Sequence, residues 1–176
     1  GSDIRLRQLA FSPDGKRLAI AKEDGASVWD AATGKQLLTF TGKGEGAPAN
    51  GIAFSPDGKW IAFTGNDAAV QVWDAATGAV IFKLMGHTGA TFGVTFSPDG
   101  KSLASSSVDR TIKVWRLPAA GGQVPEPLTL RGHTGAVYRL AFSPDGAKLA
   151  STGRNPIARI YALNIEERMT LCNMAI

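Results

Sequence analysis

Short segments in which apolar and polar residues alternate recur along the chain, and each is bounded by turn residues. In residues 91–130, four short segments follow one another, and all but KSLASS show this alternation: TFGVTF (91–96), KSLASS (101–106), TIKVW (111–115) and PLTL (127–130). Period-two runs of this length, rich in Val, Ile, Thr, Phe and Trp and flanked by Gly, Pro, Asp or Ser, are typical of β-strands. The pattern therefore predicts a small four-stranded antiparallel sheet.

The same unit recurs four times. A phenylalanine precedes the tetrapeptide Ser-Pro-Asp-Gly in each unit, at Phe11, Phe54, Phe96 and Phe142, with separations of 43, 42 and 46 residues. A fixed period in this range indicates a repeat architecture. The longer last spacing comes from an insertion at 118–127, whose Pro and Gly content predicts a surface loop.

Two kinds of turn separate the predicted strands. In Ser-Pro-Asp-Gly, proline presets its own φ, aspartate can accept a hydrogen bond from nearby backbone, and glycine tolerates a positive φ, so a tight hairpin turn is expected. The segment Asp-Ala-Ala-Thr-Gly at 30–34 and 74–78 is expected to act similarly. The flanking Phe or Trp is expected to pack one sheet against the next, because a lone four-stranded sheet cannot bury both faces.

Length and composition narrow the class of protein. The 176 residues are 44% hydrophobic, which is enough for a core, and the single cysteine, Cys172, allows no internal disulfide and fits a reducing compartment. No apolar run could span a bilayer, no secretion signal begins the chain, and the net charge of +4 is spread without a run of five like charges. A cytoplasmic protein that binds neither membrane nor nucleic acid is expected. Gly1 and Ser2 are typical of an expression remnant.

Residues 86–115, GHTGATFGVTFSPDGKSLASSSVDRTIKVW, resemble a WD40 repeat. The resemblance extends over residues 3–172 and implies an all-β WD40 β-propeller with four four-stranded antiparallel blades. The expected blades lie at about 4–42, 49–85, 91–130 and 136–172, followed by a tail at 173–176. The last strand is predicted over IEERMTLC, residues 165–172, and the end of the chain resembles those of bacterial WD40 signalling or scaffold proteins.

The third unit contains a Ser-His-Asp combination that allows two interpretations. His87, Ser105 and Asp109 have the composition of a hydrolytic triad. In WD40 blades the same residue types, joined by a tryptophan that matches Trp115, form a buried chain of hydrogen bonds. The resemblance therefore implies a structural role, in which each buried polar group finds a partner.

The other three units retain only parts of this set, which favours the structural interpretation over catalysis. The retained members are His133 and Ser151 in unit four, Asp67 and Trp73 in unit two, and Asp24 and Trp29 in unit one. The replacements are Asn155 and Tyr161 in unit four, Glu45 and Phe63 in unit two, and Ser2 and Ile20 in unit one. No metal site or cofactor is expected, since two histidines without a cysteine partner do not make a zinc site. The glycine-rich segments at 42–46 and 119–123 lack the Gly-Lys-Ser/Thr ending and the strand-to-helix setting of a phosphate loop.

The resemblance also implies a face for a protein or peptide partner, where the loops between strands d and a and between strands b and c gather. Phe92 and Tyr138 occupy matching positions near the channel mouth, with Asn50 and Arg7 as their counterparts in units two and one. Aromatic residues and arginine are favoured at binding hot spots. The arginines expected on the same side, which would suit an acidic or phosphorylated partner, are Arg110, Arg139 and Arg154. Alternatively, the two rings plug the channel.

Four blades are too few for a ring of the WD40 type, in which seven or eight are usual. A half ring would expose apolar sheet faces that soluble proteins rarely tolerate. We therefore expect a homodimer in which blade four of each copy meets blade one of the other, giving eight blades. The expected function is a non-catalytic scaffold for protein–protein interaction. The alternatives are an engineered or excised propeller fragment that only dimerises, the C-terminal half of a longer propeller, or a non-catalytic domain of a larger signalling enzyme.

Overall fold

The computed structural model describes residues 6–40, 48–118 and 122–163, together with the backbone of 174–175. Its strands form four four-stranded antiparallel sheets, each with its strands in chain order. Within these ranges no helix has the length and apolarity needed to cross a membrane. The predicted all-β organisation in four antiparallel blades is confirmed.

The strands of each blade are labelled in chain order. Blade one contains β1 (Leu6–Phe11), β2 (Arg17–Lys22), β3 (Gly25–Asp30) and β4 (Gln36–Phe40). Blade two contains β5 (Ala49–Phe54), β6 (Trp60–Gly65), β7 (Val70–Asp74) and β8 (Val80–Leu84). Blade three contains β9 (Thr91–Phe96), β10 (Ser102–Ser107), β11 (Ile112–Arg116) and β12 (Leu128–Leu130). Blade four contains β13 (Val137–Phe142), β14 (Lys148–Gly153), β15 (Arg159–Ala162) and β16 (Met174–Ala175).

The Ser-Pro-Asp-Gly segments form the predicted tight turns between the first and second strands. Their glycines have φ between 68° and 71°, and each glycine N–H donates to the serine carbonyl at 2.8–2.9 Å. In blade three, the Ser97 hydroxyl donates to Asp99 at 2.6 Å, and the same carboxylate oxygen accepts from the Lys101 N–H at 3.0 Å. The hydroxyl donor, more than any other group, lowers the pKa of Asp99.

The apolar core lies between the blades, in three clusters. Phe54 packs against blade one, beside Val28 and Phe40. Phe96 and Phe142 belong to the next two clusters. The phenylalanine of each first strand therefore faces the preceding blade. Phe11 has no preceding blade within the chain and is 63% exposed.

Blade four ends differently from the prediction. Its fourth described strand is β16, in which Ala175 pairs with Arg159 and Met174 with Ile160. The sequence assigned both residues of β16 to a tail. A strand with an unpaired edge can pair with the backbone of any extended segment that reaches it. Such pairing needs no particular side chains, so the sequence did not indicate it. The predicted strand at 165–172 lies outside the described residues.

Candidate functional site

In blade three, the side chains of His87, Ser105, Asp109 and Trp115 form one connected hydrogen-bond network. The distance from His87 Nδ1 to Asp109 Oδ2 is 2.8 Å, and that from His87 Nε2 to Ser105 Oγ is 2.9 Å. The Trp115 indole N–H donates to the same hydroxyl oxygen at 2.9 Å. This hydrogen-bond network links strands β10 and β11 to the loop that precedes β9.

The protonation of these groups follows from their surroundings. Burial lowers the pKa of His87, and the hydrogen bond and charge of Asp109 offset part of this effect. Burial acts to raise the pKa of Asp109, but donors from Thr111, Thr88 and His87 outweigh it and hold that pKa at about 2. A neutral His87 with its proton on Nδ1 donates to the carboxylate and accepts from the Ser105 hydroxyl, which satisfies every group in the chain.

The arrangement resembles a catalytic triad in its distances but not in its access. Ser105 has 0% exposure and His87 has 6%. A nucleophile must reach its substrate, whereas the Ser105 oxygen is enclosed and already bonded to the His87 ring and the Trp115 indole. The geometry fits a structural tie within the blade.

Blade four contains a smaller version of this hydrogen-bond network. His133 Nε2 lies 2.7 Å from Ser151 Oγ, and burial, followed by the charge of Arg159, lowers the pKa of His133. The Tyr161 hydroxyl donates to the Arg131 carbonyl at 3.3 Å. The Asn155 amide donates to Thr134 Oγ1. Among the described residues, His133 is thus held by one side chain, whereas His87 is held by Asp109 and Ser105 and also lies 3.4 Å from Thr111 Oγ1.

Blades one and two depart further. The Trp73 indole nitrogen is buried without an acceptor among the described residues, and its ring stacks on Phe63 at a centroid distance of 5.6 Å. In blade one, the Trp29 indole donates to Ser27 Oγ at 2.8 Å, an acceptor that the repeat alignment did not indicate. Asp67 accepts from the Ala69 N–H at 3.3 Å, and Asp24 lies 3.4 Å from Lys22 Nζ. Ser2 and Glu45 lie outside the described residues.

The residues expected at the channel mouth share a feature that the sequence did not reveal. In each blade, the pairing of the first and second strands shifts register at this point, between Leu6 and Gln8, Ala49 and Gly51, Ser105 and Ser107, and Val137 and Arg139. The first-strand residues at these β-bulges are Arg7, Asn50, Phe92 and Tyr138. A bulge leaves a residue unpaired and re-aims its side chain.

These four side chains contact one another in two pairs. The rings of Phe92 and Tyr138 meet edge to face, with centroids 5.2 Å apart and planes at 81°. The Arg7 guanidinium donates to the Asn50 side chain. Asn50 is 3% exposed and donates to Asn66 at 3.0 Å and to the Thr91 carbonyl at 2.9 Å, so its polar groups are occupied within the chain.

The three arginines predicted for this face are exposed. Arg110 and Arg154 lie in the turns after β10 and β14, at the end of each sheet where its first strand begins. Arg110 has a φ of 69°, an uncommon conformation for a residue with a side chain. Arg139 follows Tyr138 and occupies the position of Gly51 and Gly93 in the preceding blades. Within the described part of the chain, no cluster of His, Cys, Asp or Glu is arranged to hold a metal ion.

Comparisons with known proteins agree with this geometry. The family model described as "WD domain, G-beta repeat" matches residues 34–74, 78–116 and 126–161. Each match begins before the fourth strand of one blade and runs into the third strand of the next.

One curated relative and two solved structures illustrate the likeness. The target of rapamycin complex subunit wat1 of Schizosaccharomyces pombe is 30% identical over 79 residues, which is 45% of this chain and 25% of that protein. The structure of U3-55K has a TM-score of 0.82 at 22% identity, and that of the RRP9 WD40 repeats has 0.83 at 23%. Both superpositions cover 100% of this chain but only 53% and 52% of the other. The chain thus spans about half the length of these structures and a quarter of the curated relative.

Proposed function

Because the chain belongs to the WD40-repeat family, we propose that it is a non-catalytic scaffold that binds protein partners. The curated relative is named as a subunit of a complex, which fits a role in assembly. Ser105 has a histidine and an aspartate in line with it, an arrangement that no other described residue shares, and it is enclosed. The proposed binding site therefore lies on the surface of the protein and not at Ser105.

The proposed docking surface, called here the bulge face, consists of Phe92, Tyr138, Arg110, Arg139 and Arg154. The edge-to-face pair of Phe92 and Tyr138 offers a partly exposed apolar centre. Three exposed arginines lie at the same end of the sheets. Aromatic rings beside arginine suit an acidic peptide segment, since rings provide burial and guanidinium groups bind carboxylates in two-pronged fashion.

An array of acidic peptides, each paired with a version in which Glu is replaced by Gln, tests this surface. We expect binding to the acidic members only, with an affinity that falls as salt is added. The double variant Tyr138→Ala and Arg139→Ala should abolish it while the circular dichroism and unfolding midpoint change little. A matched control replaces Arg116, an exposed arginine at the opposite end of the third strand of blade three, with Ala. Equal binding of the Gln versions, or unchanged binding by the double variant, would refute an acidic-peptide site there.

A second proposal concerns self-association into an eight-bladed homodimer. The supporting observation is the outer side of blade one, called the blade-one face, where Leu9 and Phe11 are 55% and 63% exposed. Their counterparts Ile52 and Phe54 in blade two pack into the cluster between blades one and two. Leu9 and Phe11 therefore carry the same apolar surface as a blade junction, but without a preceding blade in the chain.

The opposite end of the molecule supplies the complementary surface. On the outer side of blade four, called the blade-four face, Ala150 and Ile160 match Ala19 and Val28, which are fully buried between blades one and two. Both are only partly buried in blade four. A second copy related by a twofold axis would cover both faces at once, with β13 standing farther from β1 of the other copy than β5 stands from β9, because Arg139 replaces the glycine of the closer junctions. If the chain were part of a longer propeller, the remaining blades would cover the same two faces. This alternative is compatible with the solved structures, since the chain spans only about half of each.

The mass in solution separates these cases. We expect light scattering to give about 36.8 kDa, for two chains of 18.4 kDa each. Leu9→Asp should return the mass to that of one chain, because its counterpart Ile52 is 1% exposed at the junction of blades one and two, and a carboxylate there would be buried without a partner. Val80→Asp is the control, since Val80 is 54% exposed on the outer strand of blade two. A single-chain mass for the unmodified protein would eliminate the dimer and leave the bulge-face proposal intact.

A further inference from the structure

A cavity of about 200 Å³ lies between blades three and four, at the end of the sheets opposite the bulge face. Its inner wall is apolar and consists of Val114, Leu128, Phe142 and Leu163. Ser102, the first residue of β10, also lines it, and the exposed residues that border it are Arg116, Pro125 and Glu126. We call this cavity the wedge.

In the preceding blade junction, a tryptophan fills the corresponding space. Trp60 begins β6 as Ser102 begins β10, and its ring meets that of Phe82 edge to face, with centroids 5.8 Å apart. Trp60 also packs against the cluster that contains Phe96 and Leu117. The matching positions around the wedge are Leu128, Phe142 and Leu163. The wedge is therefore the space that an indole occupies one blade earlier.

In the junction between blades one and two, an arginine, Arg17, occupies the position that corresponds to Trp60 and Ser102. Arg17 begins β2, and its guanidinium lies 5.2 Å from the centroid of the Phe54 ring and donates to the Gly58 carbonyl at 2.7 Å. It also donates to the carbonyl of Ala75 at 3.1 Å. The small Ala75 stands where Leu117 and Leu163 stand in the other two junctions. The wedge therefore resembles the junction of blades two and three, where a leucine accompanies Trp60, and differs from the junction of blades one and two, where an alanine accompanies Arg17.

We propose that the wedge binds an indole, supplied as a tryptophan side chain by a protein partner. Apolar cavities of about 150 Å³ accept a single aromatic ring, so the volume of the wedge suits two fused rings. Ser102 Oγ and the Glu126 carboxylate provide oxygens that can accept the indole N–H. This site lies at the opposite end of the blades from the bulge face and does not depend on the acidic-peptide proposal.

N-acetyl-tryptophanamide is the probe, and methyl NMR of the intact chain is the measurement. We expect saturable shifts at Val114, Leu128 and Leu163 and none at Val72, whose junction already contains Trp60. Ser102→Trp should fill the wedge and abolish the shifts. If that variant does not fold, Ser102→Met tests the same point with a more adaptable side chain.

The reverse exchange gives an independent readout. Trp60→Ser should open the junction between blades two and three, so that the probe also shifts the methyl groups of Val72 and Leu117. N-acetyl-argininamide serves as the matched cationic probe. Binding of the tryptophan probe that persists in Ser102→Trp and Ser102→Met would overturn the proposal. So would the absence of saturable shifts in the unmodified chain, or shifts caused by the arginine probe alone.

Discussion

At the scale of single residues, Trp73 and Trp115 stand at the same place in neighbouring blades but differ in hydrogen bonding. The Trp115 indole donates to Ser105, whereas the Trp73 indole nitrogen is buried without a described acceptor. Trp115→Phe leaves Ser105 without its donor, so we expect it to cost about 1 kcal/mol more unfolding free energy than Trp73→Phe. Urea unfolding of the two variants measures the difference. Equal losses would mean that the hydrogen bond contributes nothing beyond the packing of the ring.

The two histidines make stability depend on pH in a predictable direction. Burial is the main cause that lowers the pKa of His87 and of His133 below the ordinary value of 6.5. The unfolded chain therefore binds protons that the folded chain excludes, and the stabilisation present above pH 6.5 is lost as the pH falls below it. Between pH 7.5 and 5.5 we expect a loss of at most about 1.4 kcal/mol per histidine.

Urea unfolding at several pH values checks this expectation. The chain has only these two histidines, and no other side chain has an ordinary pKa in this interval. The double variant His87→Gln and His133→Gln should therefore show a flatter profile than the unmodified chain. A free energy of unfolding that rises as the pH falls from 7.5 to 5.5 would contradict the direction.

The resemblance to WD40 repeats predicts the hydrogen-bond network of blade three but not all of its variations in the other blades. The match of His87, Ser105, Asp109 and Trp115 to the WD40 positions was sufficient, because these positions lie at fixed places on the strands and loops of a blade. Ser27 was missed since its hydroxyl meets Trp29 two residues away on the same strand, and no other blade has a serine there. Asn50 was expected to face a partner, but hydrogen bonds to Asn66 and Thr91 use its amide.

At the scale of strands, the first strands of blades two and three approach each other closely. A Cβ added to Gly51 would lie 2.0 Å from the Phe92 carbonyl oxygen and 2.7 Å from Thr64 Oγ1. Gly51→Ala must therefore push β5 away from β9, and its cost should reach or exceed about 3 kcal/mol, the upper part of the usual range for overpacking. The unfolding midpoint in urea provides the measurement.

Gly15→Ala is the comparison for Gly51→Ala. A Cβ at Gly15 meets nothing within 4 Å, but φ there is 68°. Only backbone strain is introduced, at a cost of about 1–2 kcal/mol. If Gly15→Ala proved the more damaging change, close approach between the blades would not be what requires glycine at position 51.

Strands and turns could be predicted because their signals are local. The Ser-Pro-Asp-Gly segments mark where first strands end, and alternation marks the strands that follow. The β-bulges escaped prediction because a one-residue shift in pairing depends on both strands and leaves no motif. The pairing of β16 escaped because the last strand of a blade is flanked by no such turn and needs only a free edge beside β15.

At the scale of the whole molecule, the repeat itself supplies a template for what each open face would contact. Lys148 begins β14 as Arg17 begins β2, and Arg17 joins blade one to Phe54, Gly58 and Ala75 of blade two. In the proposed dimer, Lys148 therefore points toward the equivalents of these groups in the second copy. Those equivalents are Phe11, Gly15 and Ala31, and the last two border a surface recess on blade one.

This correspondence predicts how Lys148 controls self-association. Lys148→Arg should strengthen the dimer, because a planar guanidinium can reproduce both carbonyl contacts of Arg17 and lie over a ring. Lys148→Glu should weaken it by placing a carboxylate against two carbonyl oxygens. Since association stabilises the folded state by mass action, Tm should rise with protein concentration, and the rise should begin at lower concentration in Lys148→Arg.

Thermal unfolding over a hundredfold range of protein concentration, with sedimentation equilibrium in parallel, measures both effects. Lys83→Glu is the matched control, since Lys83 is exposed on the outer strand of blade two and gives the same change in net charge. It should leave the dissociation constant near that of the unmodified chain. If Lys83→Glu and Lys148→Glu weakened association equally, overall charge would be the cause. The blade junctions within the chain would then not be the template for the contact between copies.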